Sequence, residues 1–325
     1  MKLCLIGCGD IAAVAHGPAI KQYMENHHDF IAVACCDTNE EKAVIFRNKF
    51  DFERHYIDYL EMLEKETPEA VLLCTPLSVS SILAEYILKL GYPLMMEKPP
   101  GRTPEETKKL IAAAQGINMV AFNRRHMPLM KALRNQLEGH AIQAVHYEMY
   151  RSGRRDTDFS TTSIHGIDAL AFIAGGRYSK ARFIHQPLLN DASPFNVFMQ
   201  CEFTNGVFGT LHAMPLSGAV IERAVVHWED NISFLNLPVW GGIEYEDGFD
   251  APGSLITVRG GQVIFEQRGS IQPGYISNGF YDQLVYFLDC VRQGSLLEHG
   301  IETGLDAVRI MTCFREGVTL FEQNN

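Results

Sequence analysis

The chain has 325 residues, more than one hydrophobic core usually sustains, so two domains are expected. Hydrophobic residues make up 46% and charged residues 21%, ordinary globular usage that argues against wholesale disorder. The formal net charge of −11 would repel a phosphate backbone or an anionic membrane over most of the surface, which disfavours nucleic acid and membranes as partners.

The opening apolar stretch is broken at Gly7, too soon for a signal core, and no later apolar run reaches ~18 residues, so the expected location is cytoplasmic. The eight cysteines include no CxxC pair, and several, such as Cys4, Cys74 and the adjacent Cys35 and Cys36, sit in apolar runs. Buried thiols in a reducing compartment account for them better than disulfides or zinc, and no metal site is expected. Cys8, inside a glycine loop, reads as a small side chain ahead of a redox group.

In chain order, short apolar runs at 2–6, 31–36, 70–74, 93–96 and 118–122 alternate with helical patterns at 40–48, 80–90 and 104–115. That alternation predicts a parallel sheet with crossover helices. The helix at 104–115 opens with Thr103-Pro104-Glu105-Glu106, an N-cap followed by proline and acids. Beyond residue 140, β-rich stretches at 141–151, 195–203, 207–214, 219–227 and 262–266 predict a mostly antiparallel sheet, with helices at 163–174, 281–292 and 302–321. The expected fold is therefore an α/β Rossmann domain over 1–122, then an α+β domain over 123–325 with a large open sheet for substrate binding and oligomerisation. The closing helix 302–321 is a candidate to pack back on the first domain.

Gly7-Cys8-Gly9-Asp10-Ile11-Ala12 follows the first strand directly and opens a helix-like stretch. In that context Gly7 permits a tight turn, Gly9 lets backbone approach a pyrophosphate, and Ala12 keeps helix and sheet close. The helix amino terminus then favours the anion. A bare strand-to-helix turn is the plainer alternative. Asp37 ends the second strand, where a carboxylate accepts hydrogen bonds from ribose hydroxyls and repels a 2′-phosphate, so NAD is expected over NADP. Capping the next helix is compatible with that role.

Glu97-Lys98-Pro99-Pro100 follows the strand at 93–96, at the carboxyl end where open parallel sheets bind ligands. A solvated pair leaving the sheet is an equal alternative on spacing alone, and either X–Pro bond is a candidate for cis.

With these residues, Thr75-Pro76, Asn123-Arg124-Arg125 with Pro128, His165-Gly166-Ile167-Asp168, and the closing segments Tyr281-Asp282-Gln283-Leu284 and Glu302-Thr303-Gly304-Leu305, the chain resembles the family named for glucose-fructose oxidoreductase, inositol dehydrogenase and MocA. The resemblance implies an NAD-dependent oxidoreductase of sugars, polyols or their derivatives, working as a homodimer or homotetramer. It implies that Gly7, Gly9, Asp10, Ile11, Ala12, Asp37, Thr75, Pro76, Glu97, Lys98 and Arg125 bind cofactor. Lys98 would lie beside the nicotinamide, His165 would face substrate, and Asp168, on the same helical flank, would orient the imidazole or bind substrate. A core histidine is the plainer alternative for His165.

Oxidising an alcohol requires a base near neutral pH. Histidine, with an ordinary pKa near ~6.5, needs little tuning, whereas lysine near ~10.4 needs ~3 units, so His165 is the expected base and Lys98 the group that holds the substrate oxygen. The sequence departs from the family four residues before His165, where relatives often carry aspartate and this chain carries Thr161. Threonine can bind a hydroxyl but cannot act as base. The incomplete triad leaves two other readings open: glycoside cleavage through transient oxidation by bound NAD, and a non-catalytic NAD-binding sensor. Asp158 reads as a loop residue or helix cap. Arg151, with Arg154 and Arg155, is a candidate for an anionic substrate, with pairing to nearby acids the favoured alternative.

Overall fold

The computed structural model describes residues 1–156, 158–188, 195–238, 252–295 and 299–323. It divides into two compact units: Met1–Asn123 with Gly274–Val308, and Arg124–Pro273 with Arg309–Asn325.

In the first unit, strands β1 (Lys2–Ile6), β2 (Ile31–Cys36), β3 (Arg54–Tyr56), β4 (Ala70–Leu73), β5 (Leu94–Met96) and β6 (Asn118–Val120) alternate with helices α1 (Gly17–Asn26), α2 (Glu40–Phe50), α3 (Tyr59–Glu66), α4 (Leu77–Lys89) and α5 (Pro104–Ala113). The strands form one parallel sheet in the order β3-β2-β1-β4-β5-β6. Every residue of β4 and β5 is buried, which is why those strands read as unbroken apolar runs: helices cover both faces. The order reverses direction between β1 and β4, the point at which such sheets bind ligands. Local signals set the helix starts. Asn39 accepts from the Lys42 N–H at 3.1 Å, Asp58 from Leu60 at 2.8 Å, and Thr103 from Glu106 at 3.2 Å. The short edge strand β3, Arg-His-Tyr, has no apolar alternation, and neither it nor α3 was expected.

The second unit begins with α6 (Pro128–Leu137), then β7 (Ile142–Tyr150) and α7 (Ser160–Ala174). Strands β8 (Tyr178–Pro187), β9 (Phe195–Phe203), β10 (Phe208–Met214), β11 (Ile221–Trp228), β12 (Asn231–Asn236), β13 (Ser254–Arg259) and β14 (Gln262–Arg268) follow. With β15 (Leu320–Glu322) they form an open sheet in the order β14-β13-β12-β11-β7-β10-β9-β8-β15. Its pairs are antiparallel except β7 with β10, which run parallel. Burial alternates along β7, with Val145, Tyr147 and Met149 turned inward. Helix α7 lies on that inner face. A Cβ on its Gly166 would come within 3.1 Å of both Leu211 Cδ1 and Met149 Sδ, so glycine here sets a close helix-to-sheet approach.

The rest of the chain departs from expectation in two ways. Gly274–Val308 clusters with the first unit, although all of it before the closing helix from 302 was expected within the second domain. The reason is apolar: after α8 (Gly274–Ser277), helix α9 (Phe280–Gln293) places Leu284, Phe287 and Leu288 in one core with Leu3, Leu5, Ile20, Phe46 and Leu72. The helix expected at 302–321 is instead a 3₁₀ turn, Ile301–Gly304, then α10 (Leu305–Glu316), and its final residues form β15. Gly317, at φ 66°, ends the helix, and Leu320 to Glu322 pair with Arg182 to Lys180 on β8. Among the described residues, no helix is long and apolar enough to cross a membrane.

Because Phe287 is 0% exposed in the first unit's core, Phe287→Ala should cost about 3–5 kcal/mol of stability, read by urea denaturation. A loss under about 1 kcal/mol would show that α9 only lies against this core.

Candidate cofactor and catalytic sites

In the first unit the polar groups gather at the carboxyl ends of β1, β2, β4 and β5. Gly7 leaves β1 at φ 95°, and a Cβ there would sit 2.5 Å from the Cys74 carbonyl oxygen, so the turn excludes any other residue. A Cβ on Gly9 would meet nothing within 4 Å, so backbone on that side is open to approach. Asp10 is exposed, Ile11 half-buried and Ala12 fully buried. Cys8 is buried, its thiol against the Cys36 carbonyl at 3.7 Å, as a small packed side chain would be.

Asp37 stands beside this turn. Its Oδ2 accepts from the Cys8 N–H and its Oδ1 from the Asn39 N–H, both at 2.9 Å. Asn39, not Asp37, caps α2. A carboxylate offers about four acceptor sites, so two remain for a ligand's hydroxyls. Past β4, Thr75 Oγ1 is buried without a hydrogen-bond partner, as expected of a group awaiting one from a bound molecule. A glycine turn that only glycine fits, a free acceptor edge on Asp37 and an orphaned hydroxyl on Thr75 together fit a nicotinamide dinucleotide.

At the end of β5, the Lys98–Pro99 peptide is cis. Glu97, 9% exposed, places Oε1 at 2.7 Å from His16 Nε2, and its Oε2 accepts from the Lys98 backbone N–H at 3.2 Å. His16 closes a π turn, Ala12–His16, in the helix that follows the glycine loop. Burial disfavours an imidazolium there, but Cys74 and Glu97 outweigh it and raise His16 to about 10. No short motif marks His16.

In the second unit His165 is half-buried on α7, and Asp168, one turn on, is fully buried. Arg125 holds both oxygens of Asp168, Nε to Oδ2 at 2.9 Å and Nη2 to Oδ1 at 2.5 Å. The geometry thus gives Asp168 the task of tying α7 to the 3₁₀ turn Asn123–His126, and Arg125 a carboxylate partner within this unit. Thr161 Oγ1 donates to the Asp158 carbonyl at 3.1 Å. Asp158 itself accepts from the Ser160 N–H at 3.0 Å and from its hydroxyl, so it sits at the start of α7.

Arg151 separates from its sequence neighbours. It donates to Glu222 Oε2 at 2.5 Å, and Arg124 forks onto the same carboxylate, Nε to Oε1 and Nη2 to Oε2, both at 3.1 Å. The Tyr147 hydroxyl adds a bond at 2.8 Å to Oε1. Arg154 instead pairs with Asp156 at 2.8 Å in the open. Glu222 was not anticipated; its only signal is a lone acid at an inward position of β11. Burial would raise both acids, yet Arg124 and Arg151 hold Glu222 well below the usual carboxylate range, whereas for Asp168 burial outweighs Arg125 and the more distant Arg124 and keeps it raised.

Residues 1–124 match a family described as an oxidoreductase family with an NAD-binding Rossmann fold. The first domain thus matches the NAD-binding domain of the Gfo/Idh/MocA oxidoreductases. Oxidoreductase P35 of Formosa agariphila is 24% identical, over 69% of this chain and 65% of that protein. Myo-inositol 2-dehydrogenase of Thermotoga maritima is 29% identical, over 54% of this chain and 55% of its own length. The chain therefore matches a little over half to about two thirds of these curated relatives. A levoglucosan dehydrogenase solved with NADH and levoglucosan shares the fold at a TM-score of 0.81, with 16% identity and all of both chains covered. The glycine turn and the Glu97-Lys98 corner both fall inside the matched residues.

Removing one partner of a buried ion network leaves the others uncompensated, so Glu222→Gln should destabilise the protein by about 3–5 kcal/mol near neutral pH. Because Glu222 is depressed, its contribution is full above the ordinary carboxylate value of 4.5 and is lost as pH falls, so the difference from wild type should shrink in acid. Denaturant melts across pH measure this, and a difference that grows on acidification would contradict the assignment.

Proposed function

We propose that the chain is an NAD-dependent dehydrogenase acting on a hydroxyl-bearing carbon of a sugar, polyol or sugar derivative. The observation that carries this reading is the rim of the first sheet. A glycine turn, the Asp37 carboxylate and the Thr75 hydroxyl there suit a dinucleotide, and Lys98 follows β5 on the same rim. Gly7, Gly9, Asp10, Ile11 and Ala12 would hold the pyrophosphate at a helix amino terminus, with Asp37 on the adenosine ribose and Thr75 and Pro76 beside them. When bound, the nicotinamide supplies the hydride acceptor.

The protein's own part is to manage the proton. Lys98 holds the substrate oxygen and stabilises negative charge on it, and His165 takes the hydroxyl proton at an imidazole nitrogen, a base suited to neutral pH. Thr161 binds a substrate hydroxyl where a charge is not needed. Asp168 and Arg125 serve by fixing the helix that carries His165. Relatives named for myo-inositol and levoglucosan support a polyhydroxy substrate.

NAD is preferred over NADP because the Asp37 carboxylate would face a 2′-phosphate with like charge. Eight free thiols, seven of them buried, favour a reducing, cytoplasmic setting. Phe208, Phe234 and Ile184 are 40%, 40% and 68% exposed on the outer face of the second unit's sheet, which supports a homo-oligomer.

Screening sugars and polyols for NADH absorbance tests the reading. In a responsive pair, Lys98→Met should lower kcat by about 10²-fold or more while changing NADH affinity little. Full activity in that variant would remove Lys98 from the chemistry. Asp37→Ser should move the ratio of kcat/KM for NAD over NADP toward NADP by about tenfold, one lost like-charge contact. An unchanged ratio would take Asp37 out of cofactor selection.

A further inference from the structure

We propose that His16 is a positioning residue for Lys98, acting through Glu97 to fix the lysine-bearing end of β5 to the helix of the glycine turn. The claim rests on the function proposed above, because it supplies the reason the two supports must keep a fixed separation. A dinucleotide seated on Gly7 and Gly9 and an amine acting on its substrate need relative placement to within roughly 0.5 Å.

The connection is short, and its inner half is buried. His16 is 1% exposed, its ring meets Glu97 Oε1 at 2.7 Å, and the other oxygen of Glu97 takes the peptide N–H of Lys98 at 3.2 Å. One carboxylate thus joins a helix to the backbone of the residue that matters. A sheet bond, Glu97 N–H to the Leu73 carbonyl at 2.9 Å, also ties this corner to β4. Both Glu97 oxygens are engaged inside the unit, one by His16 and one by the Lys98 peptide.

The π turn explains how His16 comes to be there. A π turn holds one more residue than an α turn, so the residue that closes it is rotated by about 100° from its place in a regular helix. The first turn at Gly9 and the inward imidazole are then compatible within one helix. Phe280 of α9 stands edge-on to the ring, with centroids 5.4 Å apart. A buried histidine so enclosed cannot touch substrate. Its leverage is mechanical.

The test uses the full chain and does not need the substrate. Competitive labelling with acetic anhydride, resolved by peptide mass spectrometry, reads the reactivity and pKa of each lysine, with Lys42 and Lys49 as internal standards. His16→Leu should move Lys98 by about one pH unit, or about tenfold in rate at fixed pH, with the standards unmoved. His16→Gln, whose amide N–H can still donate to Glu97, should restore most of the difference.

A Lys98 profile identical to wild type in His16→Leu, with only a lower Tm, would overturn the proposal and leave the pair as packing. Should His16→Leu not fold, Glu97→Gln decides on the same readings. NADH fluorescence titration of the wild type separates the two claims. Absence of binding sinks the dehydrogenase reading, whereas the labelling comparison decides the His16 linkage by itself.

Discussion

A parallel sheet buried on both faces has no room for charge along its strands, and this constraint governs the first unit. Leu3, Leu5, Val71, Leu72, Met95 and Met96 are each 0% exposed, so any polar function is pushed to the rim where the strands end. There, every group on a neighbouring strand end becomes a neighbour. Gly7 must be glycine because β4 passes within contact distance, Asp37 reaches back to the Cys8 N–H, and Glu97 reaches His16 behind the loop. The rim is a hydrogen-bonded assembly before any ligand arrives, which lowers the ordering a ligand would otherwise have to impose.

The second unit meets the opposite problem, since it carries charge inside. Its solution is stoichiometric: Glu222 takes two guanidiniums and a phenol, Asp168 one guanidinium in a fork. Consecutive arginines, Arg124 and Arg125, therefore serve two different carboxylates on two different elements. Such pairs contribute little net stability relative to apolar packing, but they specify one arrangement of turn, strand and helix.

The sequence made the strands of the first unit legible because burial on both faces turns them into plain apolar words: Lys2–Ile6 and Ile31–Cys36 fall on the expected residues. Glycine spacing likewise exposed the turn at Gly7, since only one residue type survives there. What stayed hidden depends on partners distant in the chain. Glu97 was visible as a motif, but its bond to His16 spans 81 positions, and Glu222 reaches Arg124 across 98. Arg151 looked like part of a surface cluster because local composition cannot tell a residue in a buried fork from its exposed neighbours. The helical pattern of 302–321 overran its true end, as periodicity carries no information about a switch to strand after Gly317.

The interleaving of the two units along the chain bears on synthesis. Leu284, Phe287 and Leu288 complete a core whose other members lie before residue 123, so a nascent chain holds that core unfinished while the strands of the second sheet emerge. At about 5–20 residues per second the interval lasts roughly ten to thirty seconds. Throughout it, the apolar surface that α9 will cover is presented to the ribosome's surroundings, and the half-built Rossmann unit becomes a natural client for a chaperone.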